Sequence, residues 1–199
     1  MGSEMCIRDR SAAARVDAEA RLWAQRVNAD PEGAAAWVAA QETKPSPGDN
    51  PARSPSIRTV TNGIVMMLGL SDTASAKRFF DALPQAQRES LGPRYVQTLA
   101  QSDALAAVRF IESQSGEAVP DMYQALGSTW SQQSLSGARE FAREMRSGAD
   151  RDQMLVGILS VSRLTDEAAQ PLLDLISDPD TRVQSEQNRE LRARVLRNF

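Results

Sequence analysis

The feature that most constrains this chain is an internal repeat with a 31-residue period. Four segments begin with a polar residue, carry an alanine four positions later and a large apolar residue three positions after that: DTASAKRFF, DALAAVRFI, SLSGAREFA and TDEAAQPLL. The alanines follow one another at exact 31-residue intervals, at Ala76, Ala107, Ala138 and Ala169. Three equal intervals indicate a repeat architecture.

Each repeat unit predicts two helices joined by a tight turn. The leading polar residues are preferred helix N-caps: Asp72, Asp103, Ser134 and Thr165. The alanine and the large residue after it share one face of the helix that follows. Small or apolar residues eight and eleven positions before each alanine predict a preceding helix. First helices are expected near residues 56–70, 92–101, 122–132 and 153–163, and second helices near 73–83, 104–114, 135–146 and 166–177. Glycine and proline mark the joints at Pro84, Gly92–Pro93, Gly116, Gly148 and Pro179.

The regions on either side of the four repeats also fit the pattern. Asp30, Ala34 and Trp37 repeat the spacing, so residues 11–42 are expected to form a divergent first hairpin. The proline-rich stretch 43–55 predicts a surface loop before the four repeats of residues 56–178.

Residues 179–199 stand where the next first helix belongs, and we expect them to form a C-terminal capping helix. Two arginines, Arg189 and Arg192, occupy the expected core positions, which breaks the repeat pattern. We expect a narrower apolar stripe instead, formed by Val183, Leu191, Val195 and Leu196. Truncation of the chain is the alternative explanation.

The opening residues MGSEMCIRDR show neither helical periodicity nor turn chemistry. This stretch resembles the in-frame translation of a transposase adapter used to prepare sequencing libraries. We therefore expect residues 1–10 to be a disordered artefact and set them aside from the fold. On this interpretation the native N-terminus is missing, and a signal peptide or anchor could be missing with it. The compartment stays open, and this expectation favours the bacterial periplasm or cell envelope.

Composition excludes several kinds of chemistry. The chain has no histidine, and its one cysteine, Cys6, belongs to the adapter-like stretch. Cysteine–histidine zinc sites and histidine-assisted nucleophiles are therefore not expected. The net charge of −3 disfavours binding to nucleic acid, which depends on many basic contacts. No run of about 20 apolar residues predicts a membrane-spanning segment. We expect no metal and no cofactor.

The four units resemble two-helix α-solenoid repeats of the tetratricopeptide and HEAT types. Their period is shorter than that of tetratricopeptide repeats, which is about 34 residues, and that family's Gly/Tyr and closing proline positions are missing. Trp23, Asp30, Pro31 and Trp37 resemble Ala- and Trp-rich repeats of uncharacterised bacterial proteins. The expected fold is all-α: a right-handed α-α superhelix of four to five hairpins with a C-terminal cap. The resemblance implies partner binding on a curved surface and supplies no catalytic residue.

Several residues are candidates for chemistry, and a structural role explains most of them better. Asp72 and Asp103 could form a carboxylate pair suited to an inverting glycosidase, but both are expected to cap helices. Asp166 and Glu167 suit a helix N-terminus better than a metal site. Core packing explains Met66–Met67, Phe79, Phe80, Phe110 and Phe141. Glutamates interleave with five C-terminal arginines, which favours a solvated face: Arg182, Arg189, Arg192, Arg194 and Arg197.

Arg78 and Arg109 are the candidate partner-binding residues. They occupy matching places one repeat apart and could form a short anion-binding ladder, which Glu140 and Pro171 interrupt in the next two repeats. The expected function is a non-catalytic helical scaffold for a protein or peptide partner. The alternative is a helical accessory domain of a larger, for example cell-envelope, enzyme. A nucleic-acid-binding array is disfavoured by charge, and the oligomeric state is not predicted.

Overall fold

The computed structural model describes residues 22–23, 25–42, 64–65, 73–161 and 164–197. Over these residues the regular secondary structure is entirely helical and contains no strand, so the all-α prediction is confirmed. The helices within these ranges are α1 (Pro31–Glu42), α2 (Thr73–Ala82), α3 (Gln85–Ser102), α4 (Ala104–Glu112), α5 (Val119–Gln133), α6 (Leu135–Glu144), α7 (Ala149–Leu159), α8 (Asp166–Leu173) and α9 (Pro179–Arg197). The adapter-like residues 1–10, the loop predicted over 43–55 and Met66–Met67 lie outside the described residues.

The chain divides into two compact units, Met1–Leu91 and Gly92–Phe199. In the first unit, α1 packs against α2. Its core includes Ala34 and Val38 of α1, and Phe79 and Phe80 of α2, all of them at most 1% exposed. The two phenylalanine rings meet edge to face with centroids 5.5 Å apart. Such aromatic pairs add stabilisation beyond the area they bury.

The repeat is visible in where the shorter helices begin. Helices α2, α4, α6 and α8 start at Thr73, Ala104, Leu135 and Asp166, each one full 31-residue period after the previous one. Three of them are capped as predicted, because Asp103, Ser134 and Thr165 accept hydrogen bonds from the backbone N–H three residues on, at 2.9, 3.2 and 3.3 Å. Asp72, the expected fourth cap, lies outside the described residues.

The repeated alanines lie in the core. Ala76, Ala107, Ala138 and Ala169 are at most 1% exposed. The large residues three positions later are buried at Phe79, Phe110 and Leu172, while Phe141 is half-buried. Phe110 meets Tyr95 of α3 edge to face at 4.7 Å, and Phe141 packs against Trp130 of α5 at 5.4 Å. The same sequence position thus places an aromatic ring against the preceding helix in both repeats.

Two glycines allow α5 and α7 to pack backbone against backbone. A Cβ atom added to Gly127 would overlap the carbonyl oxygen of Met154. A Cβ atom added to Gly157 would overlap the carbonyl oxygen of Gln124. Because each glycine lies against the partner helix, the contact is reciprocal and leaves no room for a side chain.

Helix α3 differs from its prediction. It begins at Gln85, directly after Pro84, and it continues through the Gly92–Pro93 pair that was expected to be a joint. Proline disfavours helix at the preceding residue partly through that residue's Cβ, and Gly92 has none. Two other expected joints, Gly116 and Gly148, do lie between helices, and they have positive φ angles of 115° and 147°.

The C-terminal helix α9 packs through the positions that seemed to break the repeat. The Arg189 side chain is only 14% exposed and binds Asp166 at 2.7 Å. It also donates to the carbonyl of Leu164, and Arg192 donates to the carbonyl of Ser160 just after α7. Three residues of the apolar stripe expected on α9 are instead exposed, Val183, Leu191 and Val195 at 50%, 62% and 49%, and the side chain of Leu196 lies outside the described residues. A long arginine side chain can cover apolar surface while its head binds a backbone carbonyl, so arginine suits the largely buried position of Arg189. Arg192 is exposed.

The other end of α9 is held by Asp152 of α7. This carboxylate is 3% exposed and accepts from the backbone N–H groups of Ser177 and Asp178, both at 2.9 Å. Asp178 in turn caps α9 by accepting from the N–H and the hydroxyl of Thr181. These two hydrogen bonds hold the pKa of Asp178 below its ordinary value. Polar contacts therefore hold α9 both at its N-terminal end and further along the helix, at Arg189 and Arg192.

Candidate functional site

The two arginines predicted to bind a partner are each placed beside a carboxylate. Nη1 of Arg78 lies 3.9 Å from Glu32 of α1, and its Nη2 donates to Ser75. Nη2 of Arg109 lies 3.6 Å from Asp103, the cap of its own helix. Both arginine side chains are more than half exposed, at 54% and 67%. They belong to different compact units, and the anion-binding ladder stays a prediction.

Two of the acidic residues considered for chemistry have structural roles in this structure. Asp103 caps α4, and Asp166 pairs with Arg189. Burial, followed by the charges of Asp150 and Glu112, raises the pKa of Tyr123, so its hydroxyl is protonated at neutral pH.

Over the described ranges, no three side chains among His, Cys, Asp and Glu come together as a set that could hold a metal ion. In the same ranges, no helix combines the length and apolar character needed to cross a membrane.

A polar groove lies between α3 and α5. It encloses about 250 Å³ and is lined by four glutamines and two hydroxyl residues: Gln97, Gln101, Ser128, Thr129, Gln132 and Gln133. The Gln133 carboxamide crosses the groove and donates to the carbonyl of Gln101 at 2.8 Å, near the C-terminal end of α3. This bond links the last turn of α3 to α5 at that end of the groove.

The groove residues repeat with the same period as the helices. Gln97 and Ser128 stand one 31-residue period apart, as do Gln101 and Gln132. The equivalents in α7 depart from this pattern, because Leu159 is buried where Gln97 and Ser128 are polar. Among the described residues, this polar pattern therefore does not continue into α7. The apolar positions that define the repeat do not include these polar ones, and only their own 31-residue spacing in the sequence points to them.

A second cleft of about 410 Å³ lies where the N-terminal ends of α7 and α9 meet, with Gly148, Asp152, Asp178 and Thr181 among its lining residues. The Asp152 carboxylate is engaged by backbone N–H groups, and Asp178 is engaged by Thr181. The polar groups of this cleft are therefore engaged in hydrogen bonds between α7 and α9 and within α9. The α3–α5 groove is the better candidate for binding.

Comparison with protein-family models, with curated proteins and with solved structures found no match for this chain.

Proposed function

We propose that the chain is a non-catalytic helical scaffold whose 31-residue hairpins stack as an α-solenoid and bind a protein or peptide partner. The observation that carries this proposal is the equal spacing of α2, α4, α6 and α8, whose starts follow one another at a constant 31-residue interval. At each start the same sequence position supplies a buried alanine. Units of this kind bury their apolar faces against their neighbours and leave an extended surface for binding.

The C-terminal helix supports the same proposal. In a stacked array the last unit needs an outer helix that is polar on its far side. Much of the outer surface of α9 is polar, with Asp180, Gln187 and Arg194 exposed, although Val183, Leu191 and Val195 are exposed beside them. Arg189 and Arg192 donate to the backbone carbonyls of Leu164 and Ser160, in the segment between α7 and α8. We propose that α9 is the cap of the array.

A two-step binding experiment tests the scaffold function. The chain serves as bait in a two-hybrid screen against a library of bacterial genomic fragments, and each hit is then purified and titrated calorimetrically. The proposal predicts saturable binding of at least one purified partner with one-to-one stoichiometry. Failure of every purified hit to bind would contradict it, and turnover of purified cell-wall polymer by the chain alone would contradict its non-catalytic nature.

A further inference from the structure

The α3–α5 groove is lined by uncharged polar groups, and this sets the chemistry of anything it binds. Its six lining side chains are carboxamides and hydroxyls, without a charged or aromatic residue among them. A phosphate or carboxylate ligand would need basic partners, and a sugar or nucleobase would gain from an aromatic platform. The groove offers neither, so it favours a ligand that is itself uncharged and rich in hydrogen-bonding groups.

The carboxamides of the groove keep both donors and acceptors for a ligand. The Oε1 atom of Gln97 accepts from Arg94, which leaves its two N–H donors. The Nε2 atoms of Gln132 and Gln133 donate to the carbonyls of Ser128 and Gln101, which leaves each side chain its Oε1 acceptor and one N–H donor. The Gln101 carboxamide has no hydrogen-bond partner among the described residues and offers both kinds of group.

Both sides of the groove therefore keep donors and acceptors. On the α3 side Gln97 keeps its N–H donors, while on the α5 side Gln132 and Gln133 each keep an Oε1 acceptor and one N–H donor. A peptide group carries one N–H donor and one C=O acceptor that point in opposite directions. An extended main chain lying in the groove can pair with both sides at once, and a carboxamide matches a peptide group in the type of hydrogen bonds that it makes.

We propose that the α3–α5 groove binds an extended, uncharged peptide segment through the segment's main chain. This inference rests on the proposed scaffold function and adds the chemical class of the partner. The groove volume of about 250 Å³ lies below the range typical of small-molecule pockets and suits a short stretch of a longer chain. Main-chain hydrogen bonds supply the affinity, as they do where a peptide adds to the edge of a sheet.

Selection from a phage-displayed library of random 12-residue peptides tests this inference. The full chain is the target, and the peptides recovered are synthesised and titrated by fluorescence anisotropy. We expect the recovered peptides to be poor in Lys, Arg, Asp and Glu. The variants Gln101→Leu and Gln101→Glu should each weaken binding by about tenfold, since a lost hydrogen bond of about 1.4 kcal/mol corresponds to that factor. Methylation of a central peptide N–H should weaken binding by a similar factor.

A matched control separates the groove from the rest of the surface. Gln187→Glu changes an exposed glutamine of α9 in the same way and should leave peptide binding unchanged. Thermal unfolding followed by circular dichroism checks that all variants remain folded. Peptides that bind both Gln101 variants as tightly as the parent chain would overturn the groove proposal and leave the scaffold proposal standing. Recovery of highly charged peptides, or of no peptide, would overturn the groove proposal as well. The scaffold proposal would then depend on the calorimetric titrations of the purified two-hybrid partners.

Discussion

Two glycines, which have no side chain, decide how closely helices α5 and α7 approach each other. Gly127 of α5 and Gly157 of α7 each lie against a backbone carbonyl of the other helix. A backbone oxygen cannot move aside as the end of a flexible side chain can. The two helices would have to separate to admit even one methyl group at either position.

Replacing either glycine by alanine should therefore destabilise the fold. Alanine favours a helix over glycine by up to about 1 kcal/mol, but overpacking a close contact typically costs about 1–3 kcal/mol. We expect Gly127→Ala and Gly157→Ala to lower the free energy of unfolding by about 1–2 kcal/mol in urea titrations. Gly137→Ala is the matched control, because its nearest neighbour would be the Ser134 hydroxyl at 3.1 Å. Gain of stability by either of the first two variants would show that the close approach is wrong.

Burial also distinguishes two phenylalanines at equivalent positions of neighbouring repeats. Phe110 is 5% exposed, whereas Phe141 is half-buried. Truncating a buried phenylalanine to alanine costs about 3–5 kcal/mol, through lost burial and the cavity left behind. We expect a loss in this range for Phe110→Ala and a smaller loss for Phe141→Ala, both measured by urea unfolding. Equal losses would mean that the two repeats are packed alike and would contradict the structure.

At the scale of helices, the chain shows what its sequence could predict and what it could not. The starts of α4, α6 and α8 and their caps could be predicted from the sequence. An N-cap side chain binds a backbone N–H three residues later, so capping depends on the local sequence alone. The start of α3 could not be predicted in this way, since Gly92 lacks the Cβ that contributes to the clash with Pro93, and the helix continues through this pair from Gln85. The packing of Arg189 could not be predicted from the spacing either, because it depends on Asp166 and Leu164 of another segment. The α3–α5 groove combines residues of two helices and could be found only by comparing polar positions across repeats.

The caps give a prediction at this scale. Replacing Asp103, Ser134 or Thr165 with alanine removes the acceptor for one N–H of the first turn. Each change should lower the free energy of unfolding by about 1 kcal/mol, measured by urea titration. Gln187→Ala on the exposed face of α9 should change it by less than about 0.5 kcal/mol. Cap variants indistinguishable from this control would argue against the assigned helix starts.

The polar junction between α7 and α9 gives a second prediction at the scale of helices. Asp152→Ala would leave the partly buried N–H groups of Ser177 and Asp178 without their acceptor. Hydrogen bonds to a charged group contribute about 1.5–3 kcal/mol, and we expect a local loss of that size. Amide hydrogen exchange over residues 179–197 should then accelerate by at least about tenfold, while exchange in α5 changes little. A uniform acceleration across α5, α7 and α9 would show that Asp152 supports the whole unit and not the junction.

At the scale of the whole molecule, the central claim is that the 31-residue hairpins stack as equivalent units. Stability in such an array is approximately a sum of unit and neighbour terms. A whole period can then be removed while the units on either side meet through equivalent surfaces. Removal of part of a period leaves a helix without its partner and exposes its apolar face.

Excision of one period tests whether the hairpins are equivalent. Deleting residues 104–134 joins Asp103 to Leu135, so that one cap takes the place of the next, while deleting residues 104–118 removes α4 alone. We expect the whole-period variant to keep its helical circular dichroism and to unfold cooperatively in urea, with a lower free energy of unfolding than the parent chain. The α4 deletion should lose cooperative unfolding. If the whole-period variant is unfolded, or is no more stable than the α4 deletion, the hairpins are not equivalent stacked units.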